Sequence, residues 1–199
     1  MAANMQNPED IAVVRQFTEI IERLGIAYAV GGSMASSVYG EVRFTQDADI
    51  TVEPFGAKSD QLFAALKDKF YISRSAMKQA LEECGSFNVI HLASAFKIDV
   101  FIRKDRPFDR QMLARRRQIK LSKEYSPFAV VSPEDIILLK LEWFRDGGRT
   151  SERQWNDVLG IIRVQGKNLD AEYMEKWAGV LGVSELLHKV RNFENFGQN

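Results

Sequence analysis

Hydrophobic positions near the start of the chain recur at helical spacing: Ile11, Val14, Phe17, Ile21 and Leu24 share one face. Asn7 is placed to cap this helix, Pro8 suits its first position, Glu9 and Asp10 complement its positive end, and Gly25 stops it. The short apolar run Ala27-Tyr28-Ala29-Val30 predicts a buried strand that ends in Gly31-Gly32. Small residues from Ser33 to Tyr39 predict a helix closed by Gly40. A second strand is expected over about Ala48 to Val52, ending before Pro54. Helical periodicity returns from Ser59 to Phe70, with Leu62, Phe63, Leu66 and Phe70 on one side, and again in a short helix from Ser75 to Glu83. Two further strands follow, Phe87 to Leu92 and Phe96 to Ile102. The short loop between them predicts a hairpin.

Beyond residue 131 the pattern changes. Ser132-Pro133-Glu134-Asp135 combines a cap, a proline at the first helical position and acids in the first turn. That helix runs to about Arg145 and ends at Gly147-Gly148. Ser151 to Phe193 predicts three or so further helices and no strand. The expected organisation is an α+β core over residues 1–131, its mixed sheet flanked by helices, with a helical subdomain over residues 132–199.

At 199 residues, 45% apolar and 27% charged, the chain can bury a real core, which excludes a disordered, collagen-like or rod-like protein. No apolar run approaches the roughly 18 residues of a membrane span, so no membrane partner is expected. The opening residues show no basic segment followed by an apolar stretch, so no secretory leader is expected. Cys84 is the only cysteine, which excludes an internal disulfide and fits a cytoplasmic location. With two histidines, His91 and His188, a histidine-based metal site is not expected. Lys+Arg and Asp+Glu are both 27, so any nucleic-acid affinity would have to come from a local patch.

Asp47 and Asp49 stand two apart on a predicted strand, which puts both carboxylates on one face about 7 Å apart along the backbone. Ala48, Ile50 and Val52 point the other way. Like charges side by side disfavour each other unless a cation lies between them, and magnesium prefers such oxygens. Asp99, on a later strand, also opposes apolar neighbours. If the two strands adjoin, three carboxylates converge, a set able to hold two metal ions for in-line phosphoryl or nucleotidyl transfer. Taken singly, each acid reads more readily as a solvated residue on an edge strand. Gly31-Gly32-Ser33 sits between a strand and a helix start, where glycine admits close backbone approach and helix amides attract anions. Its plain alternative is a tight strand-to-helix turn.

GGSMASSVYGEVRFTQDADI, residues 31–50, resembles the signature of the nucleotidyltransferase superfamily of the DNA polymerase β type, and KIDVF, residues 97–101, resembles its third-acid strand. Arg43, Thr45, Asp47 and Asp49 match the Arg-x-Thr-x-Asp-x-Asp pattern of an abortive-infection-like bacterial subgroup that includes toxins of toxin–antitoxin pairs; residues 131–158 resemble that subgroup's C-terminal helices. The resemblance implies a nucleotidyltransferase core (EC 2.7.7) and two Mg2+ ions, or Mn2+, on Asp47, Asp49 and Asp99. It also implies triphosphate contacts from Gly31, Gly32 and Ser33, phosphate binding by Lys140, and Asp157 beside the nucleotide. Around Asp157 the chain reads Arg153-Gln154-Trp155-Asn156-Asp157, without the subgroup's Lys-Asp dipeptide. Lys140 also stands out from its own surroundings: Ile136, Ile137, Leu141, Trp143 and Phe144 flank it, so it must snorkel to solvent or meet an anion.

The expected reaction moves a nucleoside monophosphate from an NTP such as ATP to a hydroxyl on an RNA or tRNA end, a protein side chain, or a small molecule such as an aminoglycoside. Asp99 is the candidate base. A second reading is a catalytically idle nucleotide-binding antitoxin that holds a cognate toxin; a third is a metal-dependent phosphohydrolase. Arg115-Arg116-Arg117, with Lys120 and Lys123, reads as an RNA or phosphate grip or as a charged edge. Trp143, Trp155 and Trp177 are expected in the core. His91 has no visible partner, and neither it nor His188 or Cys84 is expected in catalysis.

Overall fold

The computed structural model describes residues 8–120 and 124–196; Asn7, the expected helix cap, and Lys123 lie outside them. Along the chain run α1 (Pro8–Arg23), β1 (Tyr28–Val30), α2 (Gly32–Tyr39), β2 (Asp47–Val52), α3 (Ser59–Leu66), β3 (Phe70–Ile72), α4 (Arg74–Glu83), β4 (Ser86–His91) and β5 (Lys97–Ile102). They continue with α5 (Pro107–Ala114), β6 (Arg117–Ile119), β7 (Phe128–Val130), α6 (Pro133–Asp146), α7 (Glu152–Gln165), α8 (Ala171–Leu181) and α9 (Ser184–Phe196). This is the expected α+β architecture, mixed sheet first and helices after. No described helix is long and apolar enough to cross a membrane.

The strands form one seven-stranded sheet in the order β3-β4-β5-β2-β1-β7-β6. β2 pairs antiparallel with β1 and parallel with β5, and β4 and β5 form the expected hairpin. Period-two alternation gives the sheet two unlike faces. Ala48, Ile50 and Val52 on β2, Ile98, Val100 and Ile102 on β5, and Phe87 and Val89 on β4 are all buried in the main core with Phe17, Ile21, Leu62, Leu66 and Met77. Burying each large aliphatic side chain contributes about 1.5–3 kcal/mol, so this face sets the strand register. The other face carries the acids.

One expectation is corrected, and one pair of alternatives narrows. Phe70 does not close α3, which ends at Leu66. It opens β3, where Phe70-Tyr71-Ile72 alternates in, out, in, and Phe70 pairs with His91 of β4. A buried phenylalanine satisfies either period, and only pairing decides. The basic stretch is not a free grip: Arg115 and Arg117 each reach Glu134 at 3.3 Å, and the Arg115 guanidinium lies over the Tyr173 ring at 3.7 Å. Arg116 Nη1 donates to the Leu113 carbonyl at 2.5 Å. Arg117 opens β6, the terminal strand of the sheet, so a charged edge is what this stretch becomes.

Small residues let α2 lie deep between the sheet, α6 and α7: Gly32, Ser33, Met34, Ala35, Ser36, Ser37 and Tyr39 are buried. The helix ends at Gly40 against the backbone of α7. A Cβ there would stand 2.8 Å from the Ile161 nitrogen and 3.0 Å from the Gly160 carbonyl carbon. Gly40→Ala should therefore push α7 away, at a cost of about 1–3 kcal/mol. In calorimetry this should lower Tm by roughly 2–12 °C for a chain of this size.

Candidate active site

The parallel pairing of β2 and β5 sets Asp47 beside Lys97 and Asp49 beside Asp99. All four side chains leave the sheet on the face opposite the core, so they mark the corners of a rectangle. Its edges are the strand spacing of about 4.8 Å and the two-residue rise of about 7 Å. β4 adds Asn88 opposite Asp99, and the Asn88 amide donates to Asp99 Oδ1.

Each acid has a different partner. Thr45 Oγ1 donates to Asp47 Oδ1 at 2.9 Å. Lys97 Nζ lies 2.8 Å from Asp99 Oδ2 and 3.7 Å from Asp47 Oδ2, so one ammonium bridges two carboxylates. The bond to Asp99 keeps that ammonium charged, raising its pKa. Asp49 instead leans on the glycine turn: the Gly31 amide donates to its carbonyl at 2.8 Å. Gly32, at φ +52°, leaves so little room that a Cβ would fall 1.7 Å from Asp49 Oδ2. Glycine is thus required there both by backbone sign and by contact. Burial, then repulsion from Asp47 and Asp99, pushes the Asp49 carboxyl up to about 6, against the pull of Lys140 and Lys97.

A second charged group braces the turn from below. Arg43, on the loop entering β2, donates to Ser33 Oγ and to both oxygens of Asp157, at 2.9 and 3.2 Å. Asp157 also takes Lys140 Nζ at 2.8 Å, and Gln154 Oε1 accepts from the same ammonium at 2.9 Å. Lys140 is 1% exposed, so it does not snorkel; the anion it meets is Asp157. Burial lowers its pKa, with Asp157 opposing. Burial would raise the Asp157 carboxyl, but Arg43 and Lys140 outweigh it and hold it below its ordinary value.

The structure thus brings Gly31, Gly32, Ser33, Asp47, Asp49, Asp99, Lys140 and Asp157 into one locality. It adds Arg43, Lys97, Asn88 and Gln154, to which the sequence reading assigned no role. Arg43 was visible only as a member of the Arg-x-Thr-x-Asp-x-Asp pattern. Among the described residues no three His, Cys, Asp or Glu side chains close around one point as they stand. Asp47 and Asp99 are turned onto Lys97, and Asp49 onto Gly32. The donor set still fits a hard divalent cation: three carboxylates share one face, one has a pKa raised by burial and then by repulsion from the other two, and a cation already bridges those two.

From Asp49 a cleft of about 460 Å³ runs along the sheet over Thr51, Phe101 and Ser86. Its wall is Leu139, Glu142 and Trp143 of α6, and its far end holds Arg103, Lys104, Arg106 and Arg145. Arg106 is held there by Asp109 and Glu142, which raise its pKa. Trp143, expected in the core, is 36% exposed with its ring 6.4 Å from that of Phe101. Its side of α6, with Leu139 and Glu142, faces the cleft, while Ile136, Ile137 and Leu141 are buried. Trp177 is buried as expected, and Trp155 is partly buried against Phe144. His91 has a partner after all, Ser94 Oγ at 2.9 Å, and packs on Phe70. His188 pairs with Glu175, and Cys84 ends α4 at φ +50° on the cleft rim.

No protein-family model matches the chain, and no curated protein matches it in sequence. Solved structures do match in fold. An antigenic nucleotidyltransferase-like protein from Paracoccidioides brasiliensis is 17% identical, with a TM-score of 0.55 over 93% of each chain. The antibiotic-resistance factor ANT(2'')-Ia is 13% identical, with a TM-score of 0.52 over 96% of this chain and 98% of its own. The lincosamide antibiotic adenylyltransferase LnuA, in a lincomycin-bound structure, is 12% identical, with a TM-score of 0.52 over 81% of this chain and 99% of its own. The chain therefore has the nucleotidyltransferase fold, as the resemblance of residues 31–50 implies.

The raised Asp49 pKa has a direct consequence for stability. Between the ordinary carboxylate value of 3.8 and about 6 the folded protein binds more protons than the unfolded chain, so stability falls as pH rises through that window. In chelator at pH 7, Asp49→Asn should stabilise the protein by roughly 1–3 kcal/mol, and the gain should vanish near pH 4. Denaturant melts at the two pH values measure both.

Proposed function

We propose that the protein is a divalent-metal-dependent nucleotidyltransferase that moves a nucleoside monophosphate from an NTP to a hydroxyl of a small-molecule acceptor. The observation that carries this is the register of Asp49 beside Asp99, with Asp47 on the same face and Asp49 pressed against Gly32. Asp47, Asp49 and Asp99 would hold the ions, two Mg2+ or Mn2+. When bound, these ions supply charge neutralisation at the transferring phosphate and a lowered hydroxyl pKa.

The remaining roles belong to the chain. The amides that open α2 lack intrahelical acceptors and, with Ser33 Oγ, would bind the β- and γ-phosphates beside the Gly31-Gly32 turn. Lys140 and Asp157 would act through Arg43, holding its guanidinium against Ser33 so that the hydroxyl and the positive charge meet the phosphates together. The acceptor oxygen attacks the α-phosphorus, the bond from that phosphorus to the bridging oxygen breaks, pyrophosphate leaves, and the acceptor proton passes to Asp99. Asn88 keeps Asp99 aimed. The cleft past Thr51 and Phe101 offers an aromatic wall at Trp143 for a ring or base.

Two observations favour a small acceptor over RNA. Arg115 and Arg117 of the basic stretch both pair with Glu134, which leaves less free positive charge there for a phosphate backbone. The fold neighbours that match along nearly their whole length include an antibiotic-resistance factor and a lincosamide adenylyltransferase. An idle antitoxin would gain nothing from three mutually repelling acids, and a phosphohydrolase would form no acceptor adduct.

Incubation with Mg2+ and each α-labelled NTP, offered hydroxylated small molecules, total RNA and lysate protein in parallel, tests this. Label should appear on a small molecule with equimolar pyrophosphate, and Asp47→Asn with Asp49→Asn should reduce transfer at least about 100-fold. Label on RNA or protein would overturn the acceptor class, and an unimpaired double variant would overturn the site.

A further inference from the structure

Lys97 has no part in the chemistry just described, yet it stands at its centre. Register places it beside Asp47 and two residues before Asp99 on the same face, so its ammonium reaches both, at 3.7 and 2.8 Å. The side chain is 42% exposed, and its long stem can carry the ammonium out to solvent without disturbing the strand. Nothing else positive touches Asp47 or Asp99 among the ion pairs of the described residues. Two carboxylates attract a cation into the space between them, and a tethered one already occupies it.

We propose that Lys97 is a resident counter-ion. It holds the cation position between Asp47 and Asp99 while the site is free of nucleotide, and so makes the divalent metal enter together with the nucleotide's phosphates. A free Mg2+ or Mn2+ must displace the ammonium from both carboxylates and gains only those oxygens in return. A metal–triphosphate complex brings its own oxygen ligands, and its phosphates also gain Ser33 and the opening amides of α2. The ammonium freed from Asp47 and Asp99, on its exposed stem, also meets the incoming phosphates, so displacing Lys97 costs much less with nucleotide than without it. This rests on the nucleotide reading of the site above and adds an order to it: metal with nucleotide, not metal first.

Mn2+ binding followed by electron paramagnetic resonance tests the idea without turnover. The wild-type protein should bind free Mn2+ weakly. Lys97→Met, of similar length and without charge, should bind it on the order of tenfold more tightly, and Lys97→Arg should stay weak. Binding of Mn2+ complexed to non-hydrolysable analogues of the four NTPs should change no more than about threefold between wild type and Lys97→Met. Free Mn2+ should also raise Tm more in Lys97→Met than in wild type. Circular dichroism checks the fold, and Lys97→Gln serves if Lys97→Met is not folded.

Equal free-Mn2+ affinity in wild type and the neutral variants, with Mn2+–nucleotide still bound, overturns the counter-ion role alone. Failure of every form to bind any Mn2+–nucleotide complex overturns the nucleotide reading beneath it.

Discussion

Mutual repulsion among three carboxylates on one face of a sheet is the constraint around which this site is arranged. The in-register pairing of β2 and β5 places Asp49 beside Asp99 and leaves neither able to move away. The three are compensated in two ways. Asp47 and Asp99 share the Lys97 ammonium, while Asp49, the more buried, has only distant positive charge from Lys140 and Lys97 and keeps a raised pKa. Counting Asp157, four carboxylates face three cations, Lys97, Lys140 and Arg43. The excess negative charge sits where a divalent ion would serve, and the strongest pairing lies below, out of the way.

Much of this was legible in the chain because alternation is a strong signal. Asp47 and Asp49 against Ala48, Ile50 and Val52, and Asp99 against Ile98 and Val100, state which side faces the core before any coordinates are known. Gly31-Gly32-Ser33 was legible as a strand-to-helix turn from its place between an apolar run and a small-residue helix, and only its contact with Asp49 sets it apart from a plain tight turn. Lys97 was not, because its meaning depends on which residue of β2 it faces, and register is a tertiary property. Nor was Trp143. On a helix flanked by isoleucine and leucine it reads as core, and only the empty space over Phe101 makes it a wall. The strands β3, β6 and β7 have three residues each, too few for a period to declare itself. The charges of 115–117 could not be told from a free patch without knowing that Glu134 lies beneath them.

Lys140 shows how a local argument can be right about the question and open about the answer. A lysine among isoleucine, leucine and tryptophan must either escape or find an anion, and here it finds Asp157 from the next helix. That pair links α6 to α7, Arg43 links α7 to the loop before β2, and Ser33 completes the circuit at the glycine turn. Residues on both sides of position 131 therefore build one electrostatic unit. The helices after the sheet are structural members of the site as much as the strands are.

The β2–β5 ladder has a further consequence. Asp49 and Asp99 meet because their strands are neighbours, and the chain between them, through α3, β3 and α4, makes an excursion to the far edge of the sheet before β4 brings it back. The alignment of the acids is held by the ladder and not by the length of that detour. The exposed turns within residues 53–85 are thus free to change in length or surface while Leu62, Leu66, Phe70 and Met77 keep their places in the core and the acids keep their alignment. A fold built this way can keep one chemistry and vary what surrounds it.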